Sequence, residues 1–223
     1  MTVDEASRSY HRQMIRYYDG PKYSFDWDDV RQSYVDDESN LTADRQRIVT
    51  ELHDTFSGRN VLEIASGGGR WTAHIAQTAE SVLATDTSGQ VLNIGRSLVT
   101  ARNVKFLQCD AFDSGKLEGS FDAAFHFNFI NHVPYSDWSR LLEQIHSKLD
   151  PGSVVVMGGQ LYRGSESHDG LNYHSEYDCS DGVHYKLIDN IPDEAQVASL
   201  VGHLVKDLEF SVRSGWWARY SVP

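Results

Sequence analysis

From residue 60 onward the chain alternates short apolar runs with segments of helical spacing, and this rhythm limits the fold more than any other feature. Val61-Leu62-Glu63-Ile64 reads as a strand, followed by a glycine cluster and a helix through Trp71, Ile75 and Ala79. Val82-Leu83-Ala84-Thr85 is a second strand, with a helix behind it that holds Val91, Leu92, Ile94 and Leu98. Val104 to Leu107 and Phe121 to Phe127 are the third and fourth strands. Trp138, Leu141, Leu142, Ile145 and Leu149 then recur at helical spacing, and Pro151-Gly152 turns into a fifth strand, Val154 to Met157. Strands alternating with amphipathic helices predict an α/β, Rossmann-like, doubly wound sheet, mostly parallel and covered on both faces. Such sheets place ligands at the carboxyl ends of their strands.

Both flanks depart from this rhythm. Asp181-Gly182 lies between Tyr177 and the alternating Val183 to Ile188, which predicts a small hairpin within a polar insertion over 160–190. A helix with Val197, Leu200, Val201, Leu204 and Val205 follows. Leu208 to Val212 and Trp216 to Val222 are two strands joined by Ser214-Gly215, so the array closes as a mixed sheet with one strand reversed. Upstream, Tyr10, Met14, Tyr17 and Tyr18 form the stripe of a short helix ended by Gly20-Pro21, and residues 21–40 read as an irregular connection. A second helix spans Thr42 to Phe56, with Gly58 as its stop. Residues 1–57 are thus expected to form a helical lid on a main domain at 58–223, the whole a single structural domain.

Composition removes several function classes. Twenty basic against 32 acidic residues give a net charge of −12, which opposes non-specific binding to nucleic acid or to an anionic membrane. Cys109 and Cys179 stand far apart with no C-x-x-C, and the ten histidines are scattered, so neither a disulfide framework nor a metal site is expected. No apolar run nears the roughly 20 residues of a membrane span, and the first residues, MTVDEASRSYHRQ, lack the apolar core of a secretory signal. A cytoplasmic protein is the expectation.

The chemistry concentrates at three strand ends. The glycines of Ala65-Ser66-Gly67-Gly68-Gly69 let backbone approach a ligand, and the helix behind them offers free N–H groups. Asp86 ends the second strand, where a carboxylate can accept both hydroxyls of a ribose. Asp110 ends the third, where it can accept from an adenine amino group while Phe112 covers the ring. A dinucleotide fingerprint would need a third glycine where Thr72 stands, and no P-loop Gly-Lys-Ser/Thr is present. Glu63 sets a negative charge before the loop, unfavourable to phosphate and favourable to an ammonium. The ligand that fits is an adenosine bearing a zwitterionic amino acid and a sulfonium.

VLEIASGGGRWT, ATDTS, LQCDAF and FDAAFHFNFINHVP, in this order and spacing, resemble the motifs of the class I S-adenosylmethionine-dependent methyltransferases. The resemblance covers residues 58–158 and extends to the closing hairpin; it implies that family's seven-stranded sheet with its last strand antiparallel. It also implies S-adenosyl-L-methionine as cofactor and S-adenosyl-L-homocysteine as product. Glu63 and the Ala65, Gly67 and Gly69 backbone would lie near the methionine part. Asp86 would hold the ribose, Asp110 and Ala111 would meet the adenine, and His126 and Asn128 would flank the sulfonium. Trp71 and Thr87, within the same motifs, are further candidate donor contacts beside Phe112. Gly68 departs from the Thr found in many members. A narrower similarity, to small bacterial natural-product and phosphonate-type O-methyltransferases, rests on VLE-ASG-G-WT, Asn131-His132-Val133-Pro134 and the Asp181-Gly182 hairpin.

The acceptor pocket is expected above the strand ends, roofed by the N-terminal segment and the 160–190 insertion, both rich in Tyr and His. Tyr17, Tyr18, Tyr23, His174 and Lys186 are the candidate acceptor contacts, and His132 is the candidate catalytic residue, able to act as base or as hydrogen-bond donor. A structural His capping the next turn is an equal reading of His132. The expected partner is a small-molecule acceptor with an oxygen nucleophile, with no nucleic acid and no membrane; the N-terminal aromatics could serve a homodimer. Three other readings stand beside this one: an N-methyltransferase of a small amine, a non-catalytic S-adenosylmethionine-binding module, and a nicotinamide-dependent oxidoreductase.

Overall fold

The computed structural model describes residues 42–161, 166–168, 172–178 and 184–223. The first helix among the described residues, α1 (Ala43–Phe56), is capped by the Thr42 hydroxyl, which accepts from the Arg45 N–H, and it buries Ile48, Leu52 and Phe56. It leads into β1 (Asn60–Ile64), α2 (Arg70–Ile75), β2 (Ser81–Asp86), α3 (Gly89–Leu98), β3 (Val104–Gln108), a 3-10 turn at Ala111–Lys116 and β4 (Phe121–Phe127). After β4 come two short 3-10 turns, then α4 (Trp138–His146), β5 (Leu149–Gln160), β6 (Glu166–His168), β7 (Tyr173–Asp178), β8 (His184–Ile188), α5 (Glu194–Val201), β9 (Lys206–Val212) and β10 (Gly215–Ser221).

Seven strands form one sheet in the order β3-β2-β1-β4-β5-β10-β9. Pairings among β3, β2, β1, β4 and β5 are parallel, and β10 runs antiparallel to both of its neighbours. The reversed strand is the last in the chain and lies second from the edge. This is the α/β Rossmann-like mixed sheet expected from the alternation. The order reverses between β1 and β4, the kind of switch point at which such sheets bind ligands.

The strands bury residues on both faces. Val61, Val82, Ala84, Ala123, Phe125 and Trp217 pack against Ile48, Leu52 and Phe56 of α1 and Ile75 of α2. Leu62, Ile64, Ala124, Val155, Met157 and Trp216 pack against Trp138, Leu141, Leu142 and Ile145 of α4 and Val197 and Val201 of α5. Alternation along β1 therefore points Val61 and Glu63 to one layer and Leu62 and Ile64 to the other.

Three boundaries differ from the sequence reading. The helix after the glycine loop stops at Ile75, short of Ala79, because the Asn103 amide donates to the Ala76 and Ala79 carbonyls and so satisfies them outside the helix. The fifth strand begins at Leu149, opposite Phe121, and the Pro151-Gly152 turn is absorbed as an irregularity in that pairing, with Gly152 at φ 83°. The helix expected to reach Val205 ends at Val201, where Gly202 donates to the Ala198 carbonyl. The insertion holds a three-stranded antiparallel sheet, β6-β7-β8, in which the expected hairpin is the pair β7 and β8, with Asp178 opposite His184. The short helix expected over residues 10–18 and the connection over 21–40 lie outside the described residues.

Candidate active site

The loop between β1 and α2 is built from left-handed residues. Ala65 (φ 54°), Gly67 (φ 56°) and Gly69 (φ 81°) turn the backbone so that a short loop reverses into α2. Gly69 is required twice over. Its φ is one that L side chains rarely adopt, and a Cβ there would stand 2.8 Å from a Val99 methyl. Gly67 is different, because the nearest atom to an added Cβ is a Val91 methyl at 4.0 Å. A Cβ there would make only an ordinary van der Waals contact, so what calls for glycine at this position is the left-handed φ.

Asp86 holds this loop. One carboxylate oxygen accepts from the Gly67 N–H at 3.0 Å and the other from the Ser88 N–H at 2.9 Å, so the end of β2 is tied to both the glycine loop and the start of α3. The Thr87 carbonyl accepts from the Gln108 amide at 2.8 Å, which joins that turn to the end of β3. Asp110 caps the next turn, its carboxylate accepting from the Phe112 N–H at 2.9 Å, with Ala111 buried behind it. The Phe112 ring has the Arg140 guanidinium over one face at 4.5 Å. Burial pushes the neighbouring Cys109 thiol up, with Asp110 and Asp113 adding to the effect, so a reactive thiolate is disfavoured there.

Glu63 differs from its sequence reading. It is 1% exposed, and the Thr72 hydroxyl donates to its carboxyl at 2.6 Å. Burial pushes this carboxyl up to about 8; the Thr72 hydrogen bond opposes the shift and the Asp86 carboxylate adds to it. The fixed negative charge expected at this position is therefore a protonated acid at neutral pH, able to ionise when a cation comes near.

The structure also separates residues that the sequence grouped. The Trp71 ring packs among Phe125, Phe127 and Trp217, with centroids 5.4–6.0 Å away and the Arg45 guanidinium 5.7 Å above it. It belongs to the aromatic layer under α1. The His126 side chain is fully buried on the α4 face beside Phe129, and burial, helped by His146, pushes its ring down to about 3. Only the backbone of His126 is left to serve the switch point. Asn128 follows β4 in a left-handed conformation (φ 54°), its N–H donating to the Gly158 carbonyl and its side-chain oxygen accepting from the Gln160 N–H at 2.7 Å. It splints the carboxyl ends of β4 and β5 together.

His132 ends a 3-10 turn just past that splint and is half-buried. Its Nδ1 lies 2.7 Å from the Ile188 carbonyl. A carbonyl can only accept, so Nδ1 carries a proton, and in the neutral ring the lone pair is on Nε2. His174 and Lys186 stand on β7 and β8, opposite Ile188 and Glu176 respectively. Tyr17, Tyr18 and Tyr23 lie outside the described residues. Sequence reasoning named Asn131 only as part of a motif and passed over Asn172 and Asn190; all three are buried around the His132 turn. In sequence they are ordinary loop polar residues, and only tertiary pairing distinguishes them. Among the described residues no helix is long and apolar enough to cross a membrane.

Residues 61–152 match the family model of the methyltransferase domain. With the strand order and the reversed last strand, that match makes this stretch of the chain similar to a methyltransferase domain. Among particular relatives, an uncharacterised methyltransferase of Synechocystis is 26% identical over 100 residues, covering 45% of this chain and 46% of its own length. The ribosomal RNA small subunit methyltransferase A of Mycoplasmopsis pulmonis is 25% identical over 116 residues, covering 50% and 44%. The chain spans less than half the length of these curated relatives. Among solved structures, DhpI in its complex with S-adenosylhomocysteine superposes with a TM-score of 0.67 at 22% identity, covering 98% of this chain and 96% of that one. Its complex with S-adenosylmethionine and HEP gives 0.63.

Proposed function

We propose that the chain takes a methyl group from S-adenosylmethionine and delivers it to an oxygen nucleophile on a small molecule. When bound, the donor supplies an electrophilic methyl on a sulfonium, which departs with the bonding electrons as a neutral thioether. The residues present fit such a donor. The left-handed Ala65, Gly67 and Gly69 shape a tight loop at the end of β1, and Asp86 and Asp110 offer acceptors to a ribose and an adenine amino group. The buried Glu63 carboxyl can lose its proton to meet an ammonium. A pyrophosphate would face carboxyl groups at these strand ends, which favours a zwitterionic tail over a dinucleotide.

One observation supports an acceptor that must lose a proton, such as a hydroxyl: the Nδ1–H of His132 is engaged by the Ile188 carbonyl, which leaves Nε2 as a base just beyond β4. A hydroxyl whose oxygen attacks the methyl carbon passes its proton to Nε2, a contribution of about 10²–10⁴ in rate. Asn128 fixes the strand ends beneath, and ordering the two reactants there is worth on the order of 7–11 kcal/mol of barrier. The net charge of −12 favours a small acceptor over RNA.

The test is a radiolabelled methyl-transfer screen of the full chain against alcohols, phenols, carboxylates, phosphonates, amines and transfer and ribosomal RNA. O-methyl products from a small molecule, reduced at least about 100-fold by His132→Ala, are expected. Transfer to amines or to RNA alone would overturn the acceptor class, and unchanged turnover in His132→Ala would remove the base.

A further inference from the structure

We propose that the strap Ile188–Asn190, which closes the small insertion sheet, is part of the methyl-transfer machinery, with Asn190 as the positioning residue for His132. The proposal rests on the reading of His132 as the base. It adds that the insertion holds that base in its working form, beyond any part it plays as a roof over the acceptor.

The argument begins with what the turn after β4 lacks. Two short 3-10 turns, Ile130–His132 and Tyr135–Asp137, flank Val133 and Pro134, so this stretch has no long helix or strand ladder to hold it. The strap and its neighbour Asn172 supply contacts instead. The Asn190 N–H donates to the Asn131 carbonyl at 2.8 Å. The Asn190 amide donates to the Val133 carbonyl at 3.2 Å and to the Asn172 side-chain oxygen at 3.0 Å. That same Asn172 oxygen accepts from the Tyr135 N–H at 3.1 Å. Between these contacts the Ile188 carbonyl takes the His132 Nδ1–H. Every second residue of the turn is thus held by Asn190 or by the Asn172 it pairs with, both distant in sequence.

Burial makes the set rigid. Asn190 is fully buried, Asn172 is 8% exposed, and Leu187 and Ile188 are buried in β8. From the other side, the Trp138 indole N–H donates to the same Val133 carbonyl at 3.1 Å, and the Asn131 side chain packs so closely on Gly159 that a Cβ there would collide with it. The turn is therefore clamped between β5 and the strap. What the Trp138 and Gly159 contacts do not do is address the His132 ring. The strap reaches it, and the position of the Ile188 carbonyl follows from where Asn190 fixes the strap two residues on.

A clamp of this kind has a signature that mere packing lacks. In water the two neutral tautomers of a histidine coexist with the Nε2–H form favoured, which is the wrong one for a base acting through Nε2. Tautomer state is read directly by long-range proton–nitrogen correlation on full-length chain labelled with nitrogen-15 at histidine, recorded at alkaline pH without ligand and with S-adenosylhomocysteine. The wild-type His132 ring is expected as the Nδ1–H form. Asn190→Ala keeps the Val133 carbonyl satisfied by Trp138, and it is expected to lower the tautomer ratio by about fivefold, the value of one modest hydrogen bond. Asn172→Ala should do the same to a smaller extent.

An Nε2–H ring in the wild type overturns the proposal even if neither variant folds, and so does a wild-type ratio in a folded Asn190→Ala. The tautomer measurement does not depend on methyl transfer. Expected tautomers with full turnover in His132→Ala refute the base alone, whereas an unaltered ratio in Asn190→Ala with lost turnover in His132→Ala refutes the strap alone.

Discussion

Replacing Glu63 by Gln tests the electrostatics of the cradle with the fewest side effects. The side chain is 1% exposed, its usual value near 4.5 is raised to about 8, and the dominant cause is burial. The sign follows from proton uptake. Between these two values the folded state holds a proton on Glu63 that the unfolded chain has lost, so stability falls as pH rises through this window and levels off above about 8. The slope is about 1.4 kcal/mol per pH unit, and the loss from pH 4.5 to pH 7 is about 3 kcal/mol. The amide introduced by Glu63→Gln cannot titrate, and its carbonyl oxygen can still accept from Thr72. Any constant cost of the amide cancels when the two proteins are compared across pH. Denaturant unfolding of both at half-unit steps should show wild-type stability declining relative to Glu63→Gln throughout the window. A difference that stays flat between pH 5 and pH 8 would refute the reasoning, since it would mean that Glu63 is already ionised in the folded state.

Other substitutions probe separate links of the account. Gly69→Ala should cost about 2–4 kcal/mol by thermal unfolding, from its left-handed φ and the 2.8 Å approach to Val99; a loss under about 0.5 kcal/mol would show that the contact with Val99 yields easily. Gly159→Ala should displace the Asn131 side chain and destabilise the protein by about 1–3 kcal/mol, seen as a lowered denaturant midpoint; an unchanged midpoint would mean that this contact is slack. Asp193→Ala removes the capping box of α5, in which Asp193 and Gln196 each accept from the other's N–H, and should cost about 1 kcal/mol without changing S-adenosylhomocysteine affinity.

The fold was legible where apolar runs and turn residues agree. Val61 to Ile64, Val82 to Thr85 and Phe121 to Phe127 fall on strands because each is a short apolar segment ended by a break, and the final hairpin follows from Ser214-Gly215. Helix ends were not legible where distant side chains set them: nothing near Ala76 indicates that Asn103 will satisfy its carbonyl. In the site, Asp86 and Asp110 stand where strand ends require, because β2 and β3 register directly against each other. The roles of Trp71 and His126 were hidden for one shared reason. Both lie beside the loop motifs in sequence, but helix and strand periodicity turns their side chains into opposite core layers. The charge of Glu63 was hidden too, because a residue's ionisation depends on the depth at which the sheet buries it.

The central claim is that the cradle at the ends of β1, β2 and β3 receives an adenosine with a sulfur-linked amino acid. Titration calorimetry of the full chain with S-adenosylhomocysteine tests it most directly. Saturable one-to-one binding is expected, weakened at least about tenfold by Asp86→Ala, with no heat from NADH. Equal affinity in both proteins, or binding of NADH in place of S-adenosylhomocysteine, would contradict it.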